Sequence, residues 1–130
     1  RIGLFDAVLI KENHLAAVGG IEAAVEAARA ANPSLPVEVE VEDLAQTATA
    51  LRAGADTLLL DNFSLADLRT AVALNLELRT PPARLEASGN VTLETLGEIA
   101  ATGVHFVSVG AVTKHVRAVD LSLRFRLDEA

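Results

Sequence analysis

Lys11, Glu40, Asp61, Ser88 and Gly110 are the residues of this chain whose types and placement could do chemistry together. A lysine closing the apolar run Ala7-Val8-Leu9-Ile10 can neutralise nearby carboxylates or bind an anionic substrate group, and the two roles are compatible. Glu40 and Asp61 could serve as paired carboxylates that hold a metal or stabilise developing positive charge. Ser88-Gly89-Asn90 precedes a helix start at Thr92, so its backbone amides could hold a phosphate. Val109-Gly110-Ala111 offers a second turn of this kind, although either glycine alone reads equally well as a plain turn residue. His14 and His115 are polar candidates for which a structural role is favoured over catalysis. The chain has no three-ligand zinc spacing, no Gly-x-Ser-x-Gly elbow and no Walker loop.

Alternating strands and helices must position these residues. Ala7–Lys11 reads as a short apolar strand, and Gly20–Ala31 carries Ile21, Ala24, Val25 and Ala28 at helical spacing before Asn32-Pro33 breaks it. Val37–Glu42 alternates strictly, and Asp43–Ala53 returns to helical spacing up to a glycine cap at Gly54. Thr57–Asp61 is the third strand, and Ser64 with Asp67 starts a helix running to about Leu78. After the loop at Thr80-Pro81-Pro82 come a strand at Arg84–Ala87, a helix from Thr92 to Thr102 and a strand at Phe106–Val109. A short helical stretch near Ala111–His115 follows, while the form of Val119–Phe125 stays open.

Strands separated by helices imply parallel pairing with helical crossovers. Glu38, Glu40 and Glu42 share one face of their strand and Val37, Val39 and Val41 the other. Three carboxylates under a helix layer would incur a severe desolvation cost. The strand therefore fits the wall of a polar barrel interior, with its valines toward the helices. The candidate residues then fall at the carboxyl ends of successive strands, where ligands gather in such folds.

Bulk properties narrow the options. At 130 residues and 51% hydrophobic the chain suits one domain with a core, but a complete eight-stranded barrel needs roughly 200 residues or more. Because it opens at Arg1 within a patterned segment, it is expected to be a fragment, and no signal peptide is expected. The absence of cysteine excludes disulfides, thiolate metal sites and cysteine nucleophiles, and suits a cytoplasmic setting. No apolar run approaches the roughly 20 residues of a membrane span. The formal charge of −7 argues against nucleic acid or an anionic membrane, leaving a small molecule or another protein chain as partner.

Arg1-Ile2-Gly3-Leu4, Ile10-Lys11-Glu12-Asn13-His14, the Glu38–Glu42 strand, Leu60-Asp61-Asn62-Phe63, Glu86-Ala87-Ser88-Gly89 and Ser108-Val109-Gly110-Ala111 together resemble the quinolinate phosphoribosyltransferase family, from Arg1 to about Phe125. The resemblance implies a partial parallel (β/α) barrel of about five βα units. Residues 1–130 would be its C-terminal part, with the N-terminal domain and the first part of the barrel outside this sequence. It implies transfer of a phosphoribosyl group from phosphoribosyl pyrophosphate to quinolinate with decarboxylation, in NAD biosynthesis. Arg1 and Lys11 would engage the quinolinate carboxylates, and Glu40 and Asp61 would lie at the ribose and a magnesium ion. Ser88, Gly89 and Asn90 with Val109, Gly110 and Ala111 would hold the phosphate. A homodimer is expected, in which the neighbouring subunit's N-terminal domain supplies further arginines and lysines. Two other readings stay open: another phosphate-binding βα-barrel enzyme, and a non-catalytic half-barrel whose two sheet edges need a partner.

Overall fold

The computed structural model describes Gly3 and residues 5–126, so Arg1 lies outside the described residues. The elements are β1 (Val8–Ile10), α1 (Glu12–Val18), α2 (Ile21–Ala31), β2 (Val37–Val41), α3 (Leu44–Ala53), β3 (Thr57–Asp61), α4 (Leu65–Leu78), β4 (Arg84–Ser88), α5 (Leu93–Ala100), β5 (Phe106–Val107) and α6 (Ala111–Lys114). The five strands form one sheet in sequence order, and every neighbouring pair is parallel. This is an α/β fold, a partial parallel (β/α) barrel of five βα units, the first of which carries two helices.

The alternation in the strands decides which face meets the helices. Val37, Val39 and Val41 of β2, Leu58 and Leu60 of β3, and Leu85 and Ala87 of β4 are buried with Ile21, Val25, Leu51 and Leu68 of the helices. Burying a leucine of this kind is worth about 1.5–3 kcal/mol relative to leaving it in water. The opposite face carries the strands' charged residues among a few apolar ones. Register places Leu9, Glu38, Thr57 and Arg84 in one row across the sheet, and Glu40, Leu59, Glu86 and Phe106 in the next. The glutamate strand thus lines the inner wall, as its one-sided charge requires.

Local signals fix the element ends. The Ser64 hydroxyl accepts from the Asp67 N–H at 3.1 Å, and Asp43 accepts from the Gln46 N–H at 2.7 Å, each satisfying a free donor at a helix start. Gly54 closes α3 at φ 87°. At the amino ends of the strands, Asp56 accepts from the Val37 N–H at 2.8 Å and from Arg29 at 3.0 Å, which ties β2 and α2 to the start of β3. The buried Asn75 side chain bonds both the N–H and the C=O of Ala83, at 2.9 and 2.8 Å, and so fixes the return from α4 to β4.

Two strands are shorter than the sequence expectation, and the segment it left open forms no regular element among the described residues. β1 stops at Ile10, because Lys11 begins α1; its backbone N–H donates to His14 Nδ1 at 3.0 Å, which gives His14 a capping role. β5 spans two residues rather than four, although the Ser108 N–H still bonds the Ala87 carbonyl at 2.9 Å. Val119–Phe125 alternates like a strand but forms no ladder among the described residues, and its apolar side chains are exposed.

Candidate active site

Lys11 leaves β1 on the inner side of the sheet, and its ammonium lies 2.6 Å from Oε2 of Glu40 on β2. That oxygen is buried, and the Lys11 ammonium is its ion-pair partner. The Lys11 ammonium is held above the usual lysine range by its bond to Glu40, helped by the charges of Glu40, Glu12 and Asp61 and opposed by partial burial. Lys11 is therefore a fixed cation at neutral pH.

Asp61 ends β3 on the same face, one row beyond the level of Glu40, and does not point beneath a helix. Its carboxylate accepts from Asn62 Nδ2 at 2.7 Å. From Asp61 opens a cleft of about 700 Å³ whose walls include Ser88, Gly89, Asn90, Thr92, Gly110 and Lys114. The two glycine turns after β4 and β5 therefore share one space, and Asp61 stands at its edge. Thr92 caps the helix that follows the first turn, accepting from the Thr95 N–H at 3.3 Å. Gly89 and Asn90 both adopt left-handed backbone, at φ 91° and 50°.

The arrangement joins an ion pair, from the end of β1 to β2, to a carboxylate on β3 and a turn-lined cleft beyond. Lys11 and Glu40 lie beside that cleft and are not in its wall. Val109 separates Ser108 from Gly110 without lining the space, while Ala111 lines it.

Three contributors were not singled out as site residues from the sequence. Lys114, four residues past Gly110, lies along the second turn; a Cβ placed on Gly110 would come within 3.9 Å of its Nζ. Asn62 bridges Asp61 to the first turn, where its Oδ1 accepts from Asn90 Nδ2 at 3.0 Å. Glu86, on the inner face of β4, accepts a hydrogen bond from the Ser108 hydroxyl and so braces the approach to the second turn. The first had a detectable signal, a cation one helical turn after a loop glycine. His115 also lines the cleft.

The family description "Quinolinate phosphoribosyl transferase, C-terminal domain" fits residues 1–124. The chain belongs to the quinolinate phosphoribosyltransferase family. A family relative in Mycobacterium leprae, a carboxylating nicotinate-nucleotide pyrophosphorylase, is 45% identical over 95% of this chain and 43% of its own length. The human protein of the same name is 40% identical over 95% of this chain and 42% of its own. In structure, the chain superposes on the nicotinate-nucleotide pyrophosphorylase from Francisella tularensis with a TM-score of 0.84 at 48% identity, covering 94% of this chain and 42% of the other. The chain thus spans less than half the length of these quinolinate phosphoribosyltransferase relatives. Among the described residues, no helix is long and apolar enough to cross a membrane.

Proposed function

We propose that the full-length protein transfers the phosphoribosyl group of phosphoribosyl pyrophosphate to quinolinate, releasing pyrophosphate and carbon dioxide and giving nicotinate mononucleotide. The observation that carries this reading is the continuity of three chemistries along adjacent strand ends: a fixed cation, two carboxylates, and a glycine-turn cleft with a lysine. It matches a dianionic acid, a ribose that becomes cationic, and a phosphate.

In this reading Lys11, together with Arg1, engages the quinolinate carboxylates. The pyridine nitrogen attacks the anomeric carbon as the bond to pyrophosphate breaks, and positive charge builds on the ribose ring. Glu40 and Asp61 stabilise that charge more than the ground state, which is the condition for accelerating the step. Once the nitrogen is quaternary, the C2–carboxylate bond breaks, its electron pair passes to the ring carbon, and a proton replaces carbon dioxide. The backbone amides of Ser88, Gly89 and Asn90, with the turn at Val109, Gly110 and Ala111, hold the ribose phosphate, and Lys114 supplies the positive charge that this acidic chain otherwise lacks there.

Magnesium fits the donor set as a metal that arrives with pyrophosphate. Glu40 and Asp61 are hard oxygen donors on adjacent strands. Among the described residues no cluster of three metal-ligating side chains exists, so the pyrophosphate oxygens would complete the coordination. Bound there, the ion would neutralise the leaving group. We place the protein in the cytoplasm as a homodimer, with the neighbouring subunit's N-terminal domain adding cations to the quinolinate end of the site.

The test uses the full-length protein with quinolinate labelled at the 2-carboxylate, phosphoribosyl pyrophosphate and magnesium. Stoichiometric labelled carbon dioxide and nicotinate mononucleotide are expected. Binding of a phosphosugar without quinolinate-dependent release of carbon dioxide would point to a different phosphate-binding barrel enzyme.

A further inference from the structure

Asn62 has no part in the reaction assigned above, yet three contacts run through it. Its Nδ2 donates to the Asp61 carboxylate at 2.7 Å, its Oδ1 accepts from Asn90 Nδ2 at 3.0 Å, and its backbone N–H donates to the Ser88 carbonyl at 2.9 Å. Its backbone is left-handed, at φ 55°, a conformation that asparagine tolerates better than most residues. The glycine across from it answers to the same contact. Gly89 sits at φ 91°, and a Cβ there would collide with Asn62 Oδ1 and lie 2.9 Å from the Asn62 backbone nitrogen. The first of these could be relieved by moving a side chain; the second could not.

The residue type is tightly specified. A side chain at this place must donate to a carboxylate on one side and accept from an amide on the other, with a reach of one methylene. Aspartate would offer no donor and would set a second negative charge against Asp61, and alanine would offer neither group. A bond from an N–H to a carboxylate is among the stronger protein hydrogen bonds and fixes the rotamer of the acid.

We propose that Asn62 is a positioning residue that couples the two halves of the site: it orients the Asp61 carboxylate and, through Asn90 and Ser88, sets the turn that receives the phosphate. The proposal rests on the phosphoribosyl-transfer reading. It adds that the carboxylate at the sugar and the turn at the phosphate are held by one side chain, so their geometries are not independent.

The variant that isolates the side chain is Asn62→Gly, because glycine keeps the left-handed backbone and the bond to Ser88. In the full-length protein, loss of a hydrogen bond to a charged group should lower kcat about 10- to 100-fold. Placed in an Asp61→Ala background, the same change should lower kcat by less than about threefold, since residues acting as one unit are not additive. Independently, Asn62→Gly should weaken nicotinate mononucleotide about 10-fold more than nicotinate riboside, which lacks the phosphate. Equal kcat losses in both backgrounds, or equal weakening of both ligands, would overturn the coupling while leaving the reaction intact. A wild-type protein that neither turns over nor binds nicotinate mononucleotide would overturn both.

Discussion

Lys11 and Glu40 form an ion pair at 2.6 Å in which the two partners are unequally buried: the glutamate side chain is 13% exposed and the lysine 47%. The lysine holds a charge in place for a carboxylate that water reaches poorly. Because its Lys11 end is solvated, the pair is worth about 1 kcal/mol or less to stability, and its larger effect is on the charge state of the site.

A pH dependence follows from the raised pKa of Lys11. The folded state binds the proton more tightly than the unfolded chain, so the stabilisation is fully present below pH 10.5 and is lost as pH rises through the higher folded value. Thermal unfolding of wild type and Lys11→Met should differ by a constant amount up to about that pH, and the difference should shrink above it. A difference that faded already near neutrality would mean that Glu40 does not hold the ammonium.

Asn75 offers a stability test remote from the chemistry. It is 2% exposed and satisfies both backbone groups of Ala83. Asn75→Ala strands a buried N–H and a buried C=O, each costing about 1–3 kcal/mol, so a loss of roughly 2–6 kcal/mol is expected. Denaturant unfolding of the full-length variant gives the number, and a loss under about 1 kcal/mol would show that water replaces the side chain.

Much of this arrangement was legible in the sequence because strand periodicity carries it. The one-sided glutamates of Glu38–Glu42 required a polar wall, and Lys11 and Asp61 fell in phase with Glu40 at successive strand ends. Other parts left weaker traces. α1 buries no residue and touches the core mainly through the half-buried Leu15, so it has little apolar periodicity to read. Asn62 acts through a left-handed backbone and a partner 28 positions away, neither of which residue spacing encodes. Val109 belongs to the second turn, whose residues Ser108, Gly110 and Ala111 line the cleft. Arg1 lies outside the described residues.

Lys114 should behave as a phosphate cation. It lies along the Gly110 turn and makes no ion pair among the described residues. Lys114→Ala should weaken nicotinate mononucleotide about 10-fold at low salt, with a smaller effect at high salt, because the lost attraction is screened. Lys114→Arg should recover most of the affinity. Calorimetric titration at two ionic strengths measures this, and a salt-independent loss would assign the lysine to packing against the turn.

The strongest functional contrast lies between the lysine and the two carboxylates. Charge that exists only in the transition state should be stabilised by Glu40 and Asp61, whereas Lys11 meets substrate charge that is already present when quinolinate binds. Glu40→Ala and Asp61→Ala should therefore cut turnover by about 2–4 kcal/mol, or roughly 30- to 1000-fold, with a modest change in quinolinate affinity. Lys11→Ala should mainly raise the dissociation constant for quinolinate, since an interaction made equally in ground and transition states contributes to binding rather than to kcat. Steady-state kinetics and equilibrium binding of the three variants at saturating magnesium separate these effects. Asp61 is the cleaner probe, because Glu40→Ala also frees Lys11 from its 2.6 Å partner and lets the ammonium move. Small, equal losses in all three variants would reduce the group to an internal charge network that keeps the inner wall of the barrel paired.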